Sequence, residues 1–164
     1  SSMLLSRAFL IAGLCLLAAC ANMQVQTVGE VLRQQDVGIN VVQSGDRKGQ
    51  LYSRQLRDRL DSDGLVTHDL SSNLSQSSSS VVSVRGTGSN LKKMTMTAAI
   101  TLVDRATGEI VLTDTVSSTA TLGAVSAYFA QTRSDRHGSE RLAILLADRV
   151  ANRVQLYFLN NSGS

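Results

Sequence analysis

Between residues 91 and 123, apolar and polar side chains alternate in two successive runs. Met94, Met96, Ala98, Ile100 and Leu102 share one parity, with Thr95, Thr97 and Thr101 on the other. After Asp104-Arg105-Ala106-Thr107-Gly108 the pattern returns. Ile110, Leu112, Val116, Ala120 and Leu122 stand opposite Thr113, Thr115, Ser117, Thr119 and Thr121. A period of two marks a strand with one buried face. This stretch therefore predicts an antiparallel hairpin, apolar on one side and threonine-rich on the wet side. A shorter alternation, Val37, Ile39 and Val41 against Gly38, Asn40 and Val42, predicts another strand.

Two segments follow a helical period instead. Tyr52, Leu56 and Leu60 lie four apart, with Leu51 on their flank, and predict a helix from about Gln50 to Asp61 that stops at Gly64. Arg54, Arg57, Asp58 and Arg59 are assigned to its solvated side. Leu142, Leu146, Val150 and Val154, widened by Ala143, Leu145, Ala147 and Tyr157, predict a C-terminal helix. It starts either at Ser139-Glu140 or earlier, near Ala124 to Tyr128, with a bend at Gly138. A further strand is expected from about Val66 to Gln76. The serine-rich run from Ser77 to Ser80 reads either as a loop or as the continuation of one long strand. The order is β-α-β-β-β-α. It predicts an α+β two-layer sandwich: a four-stranded, mostly antiparallel, mixed sheet with two helices on one face.

One apolar run does not belong to this fold. Residues 8–19, Ala-Phe-Leu-Ile-Ala-Gly-Leu-Cys-Leu-Leu-Ala-Ala, follow Arg7 and are too short to span a bilayer, which takes about 20 residues. Their length suits the hydrophobic part of an export signal. Leu17-Ala18-Ala19-Cys20 then has the form of a lipobox, with small residues before a cysteine whose thiol accepts diacylglycerol. We expect residues 1–19 to be removed, Cys20 to be lipidated, 20–36 to act as a tether, 37–159 to form one periplasmic domain and 160–164 to be a tail. The covalent diacylglycerol and N-acyl chain on Cys20 are the only prosthetic groups expected, and several acyl chains together give stable anchoring. Loss of the leader also removes Cys15, so no disulfide or cysteine metal cluster is available within the mature chain. Ala21, rather than Asp, follows the cysteine, which favours outer-membrane delivery.

Composition narrows the function classes. Of 164 residues, 43% are hydrophobic, 4% aromatic and 18% charged, with no Pro or Trp, so the core is built from aliphatic side chains. The net charge of +3 is far below what a nucleic-acid binder presents. His68 and His137 lack companions at metal-ligand spacing, no serine sits in a nucleophile elbow, and Gly86-Thr87-Gly88 lacks the lysine and helix of a phosphate loop. His68 beside Asp69 reads as a surface pair. Nothing here predicts an enzyme.

Three blocks behind the lipobox resemble the LptE family of LPS-assembly lipoproteins, especially its shorter alphaproteobacterial branch. They are residues 49–60 (GQLYSRQLRDRL), 102–112 (LVDRATGEIVL) and 147–154 (ADRVANRV). The likeness extends from about Val37 to Phe158. It implies an outer-membrane protein that plugs an LptD-like β-barrel and binds lipopolysaccharide through basic residues far from the tether. On that resemblance Arg85 occupies an expected arginine position before the long strand. A second basic position falls near Gln131, with Arg133 as its substitute, and Lys92 and Lys93 border the same turn. This chain departs from the family in having Ala21-Asn22 after the cysteine and in its serine-rich second strand. The alternative function is an accessory lipoprotein of an envelope lipid transporter, holding phospholipid or a periplasmic partner. A small periplasmic hydrolase is a third reading.

Overall fold

A computed structural model describes residues 32, 37–43, 45–61, 64–81, 91–123 and 127–161. The elements are β1 (Gly38–Val41), α1 (Arg47–Leu60), β2 (Val66–Val81), β3 (Leu91–Asp104), β4 (Ile110–Gly123) and α2 (Tyr128–Asn161). The sheet order is β1-β2-β3-β4, with β1 parallel to β2 and the other pairs antiparallel. The fold is α+β, a mixed four-stranded open sheet carrying both helices on one face. The expected export signal and most of the expected tether lie outside the described residues, as do Cys20 and residues 162–164.

The alternation seen in the sequence sets the layers. Met94, Met96, Ala98, Ile100 and Leu102 are all buried beneath the helices. Their odd-numbered neighbours lie on the bare face, where Thr95 Oγ1 and Thr119 Oγ1 stand 3.2 Å apart across strands. The sheet's apolar face meets Tyr52, Leu56 and Leu60 of α1 and Leu142, Leu146, Val150 and Val154 of α2. Apolar burial of this kind stabilises by roughly 25 cal/mol per Å² removed from water. Tyr52 is fully buried, and its hydroxyl lies 2.9 Å from Ser72 Oγ. Burial pushes its phenol up to about 12.

α1 begins behind the Asp46 cap, whose carboxylate accepts from Gly49 N–H at 2.7 Å. It starts three residues earlier than its apolar stripe implies, because the cap fixes the first turn. α2 takes the earlier of its two expected starts and runs as one helix of 34 residues, about 50 Å long. Gly138 lies inside it. A Cβ there would stand 2.6 Å from Leu122 Cδ1, so the glycine lets the helix lie close on β4. Arg47 Nε donates to Glu140 Oε1 at 3.1 Å, and Gln55 and Arg59 both donate to Asp148 Oδ1. The contacts advance together along both helices, so α1 and α2 run side by side in the same direction. Residues 128–139 of α2 therefore project past the start of α1.

Two expectations need correcting. Ile110 is 60% exposed rather than part of the core. A register shift between Leu102 and Val103 pairs Val103 with Ile110, which takes Ile110 off the buried parity. His68 is not a surface partner of Asp69, because adjacent strand residues face opposite ways. Its ring instead meets Phe158 edge-on at 5.1 Å, with Thr67 Oγ1 2.8 Å from Nδ1, and burial lowers its pKa. Asp69 binds Arg105 in a two-pronged pair at 2.8 and 2.7 Å and accepts from Asn40 Nδ2 at 2.7 Å. Hydrogen bonding from Arg105 and then Asn40 holds its carboxyl down at about 2.

Candidate functional site

The projecting first third of α2 and the far ends of β3 and β4 build one end of the molecule. Lys92 lies on the helix-facing parity of β3, and its Nζ donates to Asp135 Oδ2 at 2.7 Å. Gln131 Nε2 donates to the other oxygen of the same carboxylate at 2.8 Å. Those contacts clip α2 to the sheet, and the Lys92 hydrogen bond lowers the Asp135 pKa. Ser139 Oγ donates to the Asp135 carbonyl and accepts from Gln76 Nε2, which ties the same stretch to β2.

Beyond that clip the helix presents a different chemistry. Tyr128 is 79% and Phe129 83% exposed, and their rings meet edge-on at 5.8 Å. Phe129, Ala130, Thr132, Arg133 and Arg136 line an open depression of about 510 Å³. Neither Arg133 nor Arg136 has an ion-pair partner among the described residues. Two free guanidiniums beside two bare aromatic rings form an amphipathic surface. Guanidinium binds phosphate or carboxylate in a fork, and an exposed ring offers apolar area and a face for cation or sugar contact.

The residues singled out from the sequence do not converge. Lys92 and Lys93 point to opposite faces of β3. Lys92 is spent on Asp135, and Lys93 stands exposed on the bare face. Arg133 belongs to the aromatic depression, which neither lysine lines. Arg85 lies outside the described residues, in the connection between Val81 and Leu91, which are register partners at this end of the sheet. Tyr128, Phe129 and Arg136 were missed by the sequence reading. Two adjacent aromatics ahead of the apolar stripe, in a chain so poor in aromatics, were the available signal.

Other charged clusters have structural employment. Arg149 Nη1 donates to the Ser117 carbonyl at 2.7 Å, and Arg153 pairs with Asp114, lowering that carboxyl's pKa. On α1, Arg47, Gln50, Leu51, Arg54 and Arg57 line a shallow depression of about 360 Å³. Arg59 is held by Asp148, so the arginine cluster read as one solvated face is divided between solvent and α2. Among the described residues, no three His, Cys, Asp or Glu side chains are placed to hold a metal ion, and no helix is long and apolar enough to cross a membrane.

Residues 35–154 match the LptE family, described as lipopolysaccharide-assembly. The chain belongs to the LptE family. Solved structures share the LptE-type fold at low sequence identity. A lipoprotein from Caulobacter crescentus CB15 is 16% identical with a TM-score of 0.57, covering 82% of this chain and 96% of its own. Rare lipoprotein B from Shewanella oneidensis is 13% identical with a TM-score of 0.58, covering 77% and 98%. Lipoprotein B from Nitrosomonas europaea is 12% identical with a TM-score of 0.54, covering 77% and 84%. No curated protein matches the chain. This chain is thus a member of a lipopolysaccharide-assembly lipoprotein family, with an envelope setting to match.

Proposed function

We propose that this LptE-family chain is a non-catalytic outer-membrane factor, anchored through lipid on Cys20, that holds lipopolysaccharide at the tip of α2 and acts as assembly partner of an LptD-like β-barrel. The observation that carries the ligand half is the pairing of two uncommitted arginines, Arg133 and Arg136, with the exposed rings of Tyr128 and Phe129. Lipid A and the inner core present phosphates and carboxylates beside sugars and acyl chains, and this surface has a complement for each. Arg85, Lys92 and Lys93 stand as further members of the site. Lys93 is free to act, Lys92 first has to leave Asp135, and Arg85 adds charge from the β2–β3 connection. Family membership supports the assembly half, with the barrel as the protein partner.

Binding of lipopolysaccharide to the full chain tests the site. Hydrogen bonds to charged groups contribute about 1.5–3 kcal/mol, so Arg133→Glu is expected to weaken binding by roughly tenfold or more. Arg57→Glu, on the other side of the helix layer, leaves binding unchanged. Equal affinity in the Arg133→Glu and unaltered chains removes the tip from the site. For the partner, a large β-barrel is expected to co-purify from detergent-solubilised outer membranes. Recovery as a free monomer carrying glycerophospholipid supports the lipid-transporter alternative instead.

A further inference from the structure

β2 has 16 residues, but β1 covers only its beginning. The parallel register runs from Gly38↔Val66 to Val41↔Leu70, and Val42 N–H donates to the Leu70 carbonyl at 2.9 Å. Beyond Leu70 no described strand lies along the outer side. The Leu70 carbonyl faces β1, and main-chain groups of alternate residues point the same way. Ser72, Leu74, Gln76, Ser78 and Ser80 therefore turn their N–H and C=O groups outward, while the odd-numbered residues between them serve the ladder with β3. The opposite edge alternates in the same way, with odd-numbered residues outward: Ser117 of β4 turns its carbonyl to Arg149.

The two edges are treated differently. Sheets usually blunt an exposed edge with charge, proline, a bulge or a covering group. On β4, Arg149 caps a carbonyl and Asp114 carries a charge held by Arg153. From Ser71 to Ser80, β2 has no charged residue, no proline and no register shift against β3. Beside the middle of this run opens a recess of about 110 Å³, lined by Asp46, Lys48, Leu74, Gln76 and Met96 among others. Lys48 Nζ stands there, 3.2 Å from Gln76 Oε1 and 3.9 Å from Asp46 Oδ2.

We propose that the free edge of β2 receives an extended strand from a protein partner, paired through the outward groups of Ser72 to Ser80, with an acidic side chain directed at Lys48. Strand addition of this kind draws affinity from main-chain hydrogen bonds and specificity from side-chain pockets. A second copy of this chain fits worse. Pairing β2 with itself about Gln76 brings two Lys48 ammoniums together on one face, whereas Arg47 is already held by Glu140. An acidic strand meets the same charges favourably. The edge ends beside the lipopolysaccharide tip, with Ser79 and Ser80 opposite Lys93 and Lys92, but it includes neither Arg133 nor the aromatic rings of α2. It rests on the chain having a protein partner, but not on that partner being a barrel.

The test uses the full chain and a synthetic strand peptide of alternating valine and threonine with a central glutamate. Amide hydrogen exchange is read residue by residue. With peptide at roughly ten times its Kd, exchange at Ser72, Leu74, Gln76, Ser78 and Ser80 slows about tenfold. Ser71, Asn73, Ser75, Ser77 and Ser79, already in the ladder, do not change. Ser78→Pro removes one outward N–H without touching the β3 ladder and abolishes the effect. Lys48→Glu transfers the preference to a peptide with a central lysine, which keeps the test decisive if the proline variant fails to fold. No slowing up to about 1 mM peptide, or slowing without the odd–even alternation, overturns the proposal. Protection that persists in the Arg133→Glu chain separates this edge from the lipopolysaccharide reading.

Discussion

Replacing Gly138 by alanine sets two effects of opposite sign against each other. Alanine is favoured over glycine in a helix interior by about 1 kcal/mol. Against that, the new Cβ stands 2.6 Å from Leu122 Cδ1 and 3.4 Å from both Leu122 Cδ2 and Met94 Sδ. Overpacking of a settled contact costs about 1–3 kcal/mol. The obstacle is the end of a flexible, half-buried side chain, so about 2 kcal/mol is a fair figure for this clash. The net expectation is a loss of about 1 kcal/mol for Gly138→Ala. In a Leu122→Ala background the clash is gone and the helical gain remains, so the same substitution stabilises by about 1 kcal/mol. The coupling between the sites is therefore about 2 kcal/mol. Urea unfolding of the four chains, compared at matched slopes, measures it. If Gly138→Ala destabilises equally in both backgrounds, the glycine is not there to admit Leu122, and the account of α2's approach to β4 fails.

Other outcomes follow from the same geometry. Asp69 is held at about 2 by Arg105 and Asn40. Its contribution is complete above the ordinary carboxyl value of 3.8 and disappears as pH falls from there toward 2. Between pH 5 and pH 2 the unaltered chain should lose more of its urea midpoint than Asp69→Asn; parallel curves would dismiss the pair. Gly38→Ala puts a Cβ 2.4 Å from the Leu65 carbonyl oxygen and 2.9 Å from Val66 Cα, all rigid backbone. It should cost about 3 kcal/mol, seen as a lowered Tm; an unchanged Tm contradicts the close β1–β2 approach. Tyr52→Phe removes the contact with Ser72 Oγ while keeping the buried ring, for a loss of about 1 kcal/mol. A neutral result in denaturant titration means the hydroxyl is equally well served by water.

How much the sequence disclosed depended on how far apart the deciding partners lie. β3 and the body of α2 were legible because their buried faces follow a regular period within one element. Ile110 was misplaced because the register shift belongs to the pairing with β3 and leaves no mark in the β4 pattern. The serines of β2 give no propensity either way. They form strand because each stands opposite a committed residue of β3, from Ser71↔Thr101 to Ser80↔Lys92. The split between Lys92 and Lys93 was open to view, since neighbours on a strand face opposite sides. The capture of Lys92 by Asp135 was not, because it spans most of the meander. For the same reason the tip around Phe129 and Arg133 became visible only once α2 was known to outrun α1.

The meander has a further consequence for how the chain reaches this shape. β2, β3 and β4 pair with immediate neighbours across short connections, whereas β1 reaches β2 only across α1, and α2 must return over a finished sheet. Local contacts close with less entropy lost than distant ones. The three-stranded unit is therefore the natural nucleus. A chain that emerges amino end first must leave its opening strand unsatisfied until that nucleus exists. The segment Gly38–Val41, first to appear, is placed to be the last strand to dock.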